Sequence, residues 1–135
     1  MSVLQYTDAN SGVIYKYTNG TANSGLVFSG QNASGSVTLL STFSVSSVTY
    51  SVKIIGGTAF TNNTNLTNIT IPTSIQTIQA SAFSGCTNLT SVTIPSSVTS
   101  IGNLAFSGCS KLATIVANTL ITNFSSVFSN VNPVG

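Results

Sequence analysis

Six side chains in this 135-residue sequence carry the groups from which catalysis or metal binding is usually built: Asp8, Lys16, Lys53, Lys111, Cys86 and Cys109. There is no His, Glu, Arg or Trp. One carboxylate cannot form an acid/base pair, and without His neither a Ser-His-Asp nor a Cys-His relay can be assembled. A Ser-Lys pair remains formally open through any lysine, but no motif marks one. Zinc needs Cys and His at short spacing and calcium needs several carboxylates; two widely separated cysteines and one aspartate provide neither. The stretch IIGGTAF (54–60), with adjacent Gly56 and Gly57, lacks the Lys and the correctly spaced second glycine of a phosphate loop. The expectation is a protein with no enzymatic activity, no cofactor and no metal.

Charge narrows the partners in the same way. Charged residues are 3% of the chain against a typical ~25%. Three scattered lysines make no basic footprint for nucleic acid and no basic face for a lipid surface. A net charge of +2 gives weak colloidal repulsion, which favours association. The expected partner is therefore protein: other subunits of an assembly, as a homo- or hetero-oligomer, with no nucleic acid and no membrane insertion. The start MSVLQYTDAN lacks the basic and apolar regions of a signal peptide, and no run of 18 apolar residues occurs. Sequons stand at Asn19, Asn32, Asn62, Asn65, Asn68, Asn88 and Asn123. In a chain so rich in Asn, Ser and Thr they can arise by chance, or be glycosylated on a secretory route.

The elements that must position any surface repeat with a fixed period. LTNITIPTSIQTIQASAFSGCTN (66–88) returns at once as LTSVTIPSSVTSIGNLAFSGCSK (89–111), a 23-residue repeat. Self-similarity at 20–50 residues marks a stacked solenoid. Shifted copies give about four turns, 43–65, 66–88, 89–111 and 112–135, the outer two atypical because they close the ends of the core. In the last turn one residue is deleted, so Phe128 takes the place of Phe106 and Val131 that of Cys109. Within a turn, Ile69 and Ile71 alternate with Asn68 and Thr70 as in a half-buried strand, Pro72 ends the strand, Ile75 and Ile78 point inward, and Ala82 and Phe83 fill a corner. Residues 1–42 break the period. There, VIYKY, the Asn19-Gly20 turn and LVF predict a β-hairpin, either an N-terminal cap or a separate binding element.

Stacking of like residues defines the candidate sites. Asn68, Thr70, Ser91, Thr93 and Thr114 form an outward ladder able to meet a protein, a glycan or ice; equally, Thr simply suits exposed strand positions. Tyr6, Tyr15 and Tyr17 concentrate at the N-terminal end, where they either contact a partner or pack the cap. Cys86 and Cys109, at the same place in adjacent turns, fall within disulfide range as a staple, or serve as two small buried hydrophobes.

The unit L-x-x-[IV]-x-I-P-x-x-[IV]-x-x-I-x-x-x-A-F-x-x-C resembles the BspA-like leucine-rich repeat, over about residues 43–131. YSVKIIGGTAF (50–60) is similar to that family's usual first turn. Departures fall at the ends: Asn118 replaces Pro, and Asn63 and Val131 replace Cys. The resemblance implies a short, β-rich, right-handed solenoid without enzymatic activity and with Cys as core filler. Such repeats occur in bacterial surface adhesins that bind host matrix proteins, in protist surface proteins and in large DNA viruses. Two functions follow as expectations. The first is a structural protein within a larger particle, with a virion of a large DNA virus as one setting. The second is an adhesin-type module that recognises a protein or glycan through its strand face. A virion or other extracellular surface assembly is the expected location.

Overall fold

The computed structural model describes residues 3–131. The elements in chain order are β1 (Val3–Thr7), β2 (Ile14–Thr18), β3 (Gly25–Ser29), β4 (Gly35–Thr38), β5 (Thr42–Val45), β6 (Val48–Ile55), β7 (Leu66–Thr70), β8 (Thr77–Ile78), β9 (Ser91–Ile94), β10 (Ser100–Ile101), β11 (Thr114–Ala117) and one helical turn, α1 (Phe124–Val127). They form two sheets. One runs β1-β2-β3-β6-β8-β10, with β5 also on β6; the other runs β11-β9-β7-β4. The β1–β2, β2–β3 and β5–β6 pairs are antiparallel and every other pair is parallel. The structure is thus a β-rich solenoid of parallel-stacked coils that opens with antiparallel strands at its N-terminal end.

The sequence period becomes lattice register. Asn68 pairs with Ser91 and Ser91 with Thr114; Thr70 pairs with Thr93. Alternation buries Ile69, Ile71, Val92 and Ile94 between the sheets, joined from the other side by Ile75, Ile78 and Val98. At the corner, Phe60, Phe83, Phe106 and Phe128 stack at centroid spacings of 4.8, 5.0 and 5.2 Å. Phe83 N–H donates to Ala105 O, and Phe106 N–H to Val127 O. The acceptor thus moves from Ala105 to Val127, one position short of a full repeat, so the single deletion in the last turn is absorbed without breaking the phenyl stack.

Each corner needs two left-handed residues. Thr58, Ser81 and Leu104 hold one position at φ of 62°, 59° and 64°; Asn62, Gly85, Gly108 and Asn130 hold the other. Gly or Asn fits that second position because both tolerate positive φ. In the last coil α1 replaces the first of these kinks.

The N-terminal end is more regular than its sequence. The stretch 12–30 contains the expected hairpin, β2–β3, but β1 adds to it as a further antiparallel strand. Parallel stacking also starts before residue 43: β3 pairs with β6, and β4 with β7. In the β4–β7 pair, Gly35 meets Leu66 and Ser36 meets Asn68, an offset well beyond one repeat, which hides the pairing from a search at the repeat period. A second hairpin, β5–β6, turns at Ser46-Ser47, both at positive φ without the usual Gly or Asn. Residues 132–135 of the expected fourth turn lie outside the described residues.

Candidate interaction surface

The sheet β11-β9-β7-β4 carries the predicted ladder on its outer side. Thr70, Thr93 and Thr114 are exposed, and Asn68 and Ser91 half-buried. Ser91 Oγ lies 3.2 Å from Asn68 Oδ1, so neighbouring rungs are hydrogen-bonded across strands. Strand β4 extends both rows: Ser36 pairs with Asn68, and Thr38 with Thr70. At the other end Val116 pairs with Thr93 and ends the threonine row. Ser36 and Thr38 are rungs that sequence spacing misses, since only the pairing register identifies them. Lys111 reaches Asn88 Oδ1 at 2.9 Å, one coil back. Chemically, the array offers neutral hydroxyl and amide groups held by strands; it can donate and accept hydrogen bonds, and has no group to attack or titrate.

The tyrosines divide. Tyr15 and Tyr17 are buried, so of the two roles expected for them they pack the cap and are not available as contacts for a partner. The alternation VIYKY sends Val13, Tyr15 and Tyr17 inward together. Their rings gather around Phe43: Tyr6 stacks on it at 4.7 Å, with Tyr15 at 5.5 Å and Tyr17 at 5.4 Å, and Tyr17 lies 4.5 Å from Tyr50. Tyr15 Oη accepts the Leu40 N–H at 2.9 Å. Burial pushes the Tyr15 phenol up to about 12. Tyr6 alone of the three keeps a half-buried position.

The BspA-type leucine-rich repeat region matches residues 35–134 in six copies. The chain belongs to that family. Among solved structures, it is similar to a leucine-rich cell surface protein of Faecalibacterium prausnitzii, at 28% identity and a TM-score of 0.69, over 88% of this chain and 33% of that one. A leucine-rich repeat protein of Eubacterium ventriosum shares 24% identity at a TM-score of 0.64, over 85% of this chain and 27% of that one. The pneumococcal vaccine antigen PcpA shares 22% at 0.55, over 85% and 38%. This chain therefore spans a third or less of the first two. No curated protein matches its sequence.

The BspA-type repeat explains the cysteines. Cys86 and Cys109 are free, buried thiols. Each Sγ donates to a carbonyl of the preceding coil, Cys86 to Phe60 O and Cys109 to Phe83 O, both at 3.1 Å. The neighbouring Cys109 thiol, reinforced by burial, holds the Cys86 thiol well above the usual range. Asn63 fills the same place in the earlier coil. Its Nδ2 donates to Gly30 O at 2.7 Å and Ala33 O at 2.8 Å, and its Oδ1 accepts from Asn65 and Leu66 N–H at 2.9 and 3.2 Å. The departure from Cys is thus a joint between the regular coils and the irregular cap. Among the described residues no three His, Cys, Asp or Glu side chains come together as a metal site, and no helix is long and apolar enough to cross a membrane.

Proposed function

We propose that this solenoid is a non-enzymatic protein-interaction module that meets a partner protein through its outward strand face: Asn68, Thr70, Ser91, Thr93 and Thr114, extended by Ser36 and Thr38. The observation that carries this reading is the registered pairing of these residues across four parallel strands. Such a face presents hydrogen-bonding groups at fixed ~4.8 Å intervals from a rigid scaffold, so little order has to be imposed on binding. The cell-surface description of the Faecalibacterium prausnitzii relative supports placing the module outside the cell, as an adhesin-type domain. The test is surface plasmon resonance against immobilised extracellular-matrix proteins. Thr70→Lys with Thr93→Lys should remove binding while the circular dichroism melt stays in place; binding that survives both substitutions would move the site elsewhere.

A second reading, a subunit within an assembly, is supported by the C-terminal end. There Leu120 is 86% exposed, Phe124 52%, Leu104 46% and Val116 45%, four large apolar side chains open to solvent in the last two coils. Light scattering after size-exclusion chromatography decides it: a clean monomer at tens of micromolar sinks the assembly reading. The bacterial relatives lend the virion setting no support.

A further inference from the structure

The two sheets end unevenly at the N-terminal side. The first continues past β3 with β2 and β1, whereas the second stops at β4. The β1–β2 hairpin therefore overhangs the open edge of β4 and leaves a notch. That notch is a cleft of about 390 Å³ lined by Asp8, Asn10 and Ser11 from the hairpin turn and by Ser34, Ser36, Val37, Thr38 and Leu40 from β4 and its flanks. Its volume lies within the ~300–1,000 Å³ range of ligand sites.

The edge of β4 that faces the notch is unfilled. In a parallel ladder alternate residues bond to one neighbour. Gly35 and Leu39 N–H donate to Asn65 O and Thr70 O on the β7 side. The backbone groups of Ser36, Thr38 and Leu40 point the other way. Leu40 N–H is taken by Tyr15 Oη, which closes the row at one end. Ser36 and Thr38, both exposed, find no partner on that side among the described residues. Facing them is Asp8, the only side-chain carboxylate of the chain and only 8% exposed. Its oxygens accept Ser11 Oγ at 2.6 Å and Asn10 N–H at 3.3 Å, and no lysine is among its partners. A buried carboxylate without a countercharge is costly and favours a cation brought from outside.

We propose that this notch takes a short extended segment of a partner protein, which adds to β4 as a further strand and places one lysine or arginine against Asp8. Backbone pairing with Ser36 and Thr38 supplies the affinity and the cation supplies the selectivity, as in other cases of strand addition. The notch meets the hydroxyl face at Ser36 and Thr38 but uses their backbone edge rather than their side chains. Thr70→Lys with Thr93→Lys leaves that edge and Asp8 intact, so the two readings fail independently.

The probe is acetyl-Thr-Val-Lys-Val-Thr-amide, titrated into the ¹⁵N-labelled full chain. Saturable shifts of the Ser36 and Thr38 amides are expected, with those of Thr93 and Thr114 unmoved. Asp8→Asn, which keeps an acceptor for Ser11, should weaken binding by about tenfold or more, as should replacing the peptide's Lys by norleucine. Thr38→Pro removes only an N–H that β7 does not use, so it should leave the melting temperature in place and abolish binding. A peptide N-methylated at both Val needs no protein variant and should not bind. The proposal is overturned by absence of saturable binding up to about 1 mM, by equal binding of the N-methylated peptide or to Asp8→Asn, or by shifts centred on β9. Self-association of the free protein that Thr38→Pro abolishes would put a second copy in the notch, and would overturn it too.

Discussion

Asn63 is the residue on which the junction between cap and coils turns, and Asn63→Ala measures it. The side chain is 4% exposed and makes four hydrogen bonds to backbone. Not all four groups are stranded by its loss. Gly30 O keeps the Ala33 N–H at 3.0 Å, and the amide of Asn65 belongs to an exposed residue that water can reach. That leaves Ala33 O and Leu66 N–H without a partner at buried residues. At ~1–3 kcal/mol for each stranded group, the expected loss is about 4 kcal/mol, a large part of a total of roughly 5–15 kcal/mol. Asn63→Cys is the sharper variant, because Cys is the residue that later coils use here. A thiol can donate to one carbonyl but cannot also accept two amides well, so this return to the family's own residue should cost about 2–4 kcal/mol. Urea unfolding followed by circular dichroism, with an unchanged m-value, reads both. If Asn63→Cys is neutral or stabilising, or Asn63→Ala costs under about 1 kcal/mol, the hydrogen bonds of Asn63 do not hold the cap to the coils.

Three further outcomes are expected. Phe83 is fully buried between Phe60 and Phe106, so Phe83→Ala should cost about 3–5 kcal/mol in the same assay; a loss below about 1 kcal/mol would mean the phenyl stack contributes little. Leu104 sits at φ 64° with its side chain 46% exposed, so Leu104→Asn should stabilise by about 0.5–1 kcal/mol through relief of a left-handed Leu; destabilisation would show that Leu104 packing outweighs the strain. Tyr15 has a folded value of about 12 against about 10 unfolded. Its contribution is therefore complete below pH 10 and falls as the unfolded chain loses the proton first, by roughly 3 kcal/mol between pH 10 and 12. Comparing the pH slopes of wild type and Tyr15→Phe isolates it from the other titrating groups, and equal slopes would refute it.

The inner coils were legible because each local signal agreed with the next: alternation, Pro72 and Pro95 at the strand ends, Phe and Cys at the corner, and a constant period. Five ladder residues could be placed on one face from spacing alone. What escaped was the pairing that neither the period nor a turn such as Asn19-Gly20 marks. Ser36 and Thr38 stack on β7 through a register longer than one repeat, which a glycine-containing loop disguises. The β5–β6 hairpin was hidden because Ser46 and Ser47 adopt left-handed conformations that sequence assigns to Gly or Asn. Tyr15 and Tyr17 were ambiguous for a different reason: an aromatic residue has the same composition signal in an interface as in a core, and only Phe43 and Tyr50, brought in by the β5–β6 hairpin, decide between them.

The two surfaces proposed for this chain differ in one physical respect that makes them separable in solution. The rows of the hydroxyl face carry no charge, so binding there gains nothing from electrostatic steering and should associate at the ~10⁵–10⁶ M⁻¹s⁻¹ of an unsteered encounter, unchanged by salt. Selectivity on such a face has to come from matching the strand spacing, because a displaced or misaligned partner leaves hydroxyls and carbonyls unpaired. The notch beside β4 has the opposite signature. Its one carboxylate is the only negative side chain in a chain of net charge +2, and a ~10 Å Debye length at 0.1 M salt screens its reach toward a cationic segment. Binding at the notch should therefore weaken as salt rises while binding at the face does not. A single partner that occupied both would show the two behaviours in one titration, lost separately by Asp8→Asn and by Thr70→Lys with Thr93→Lys.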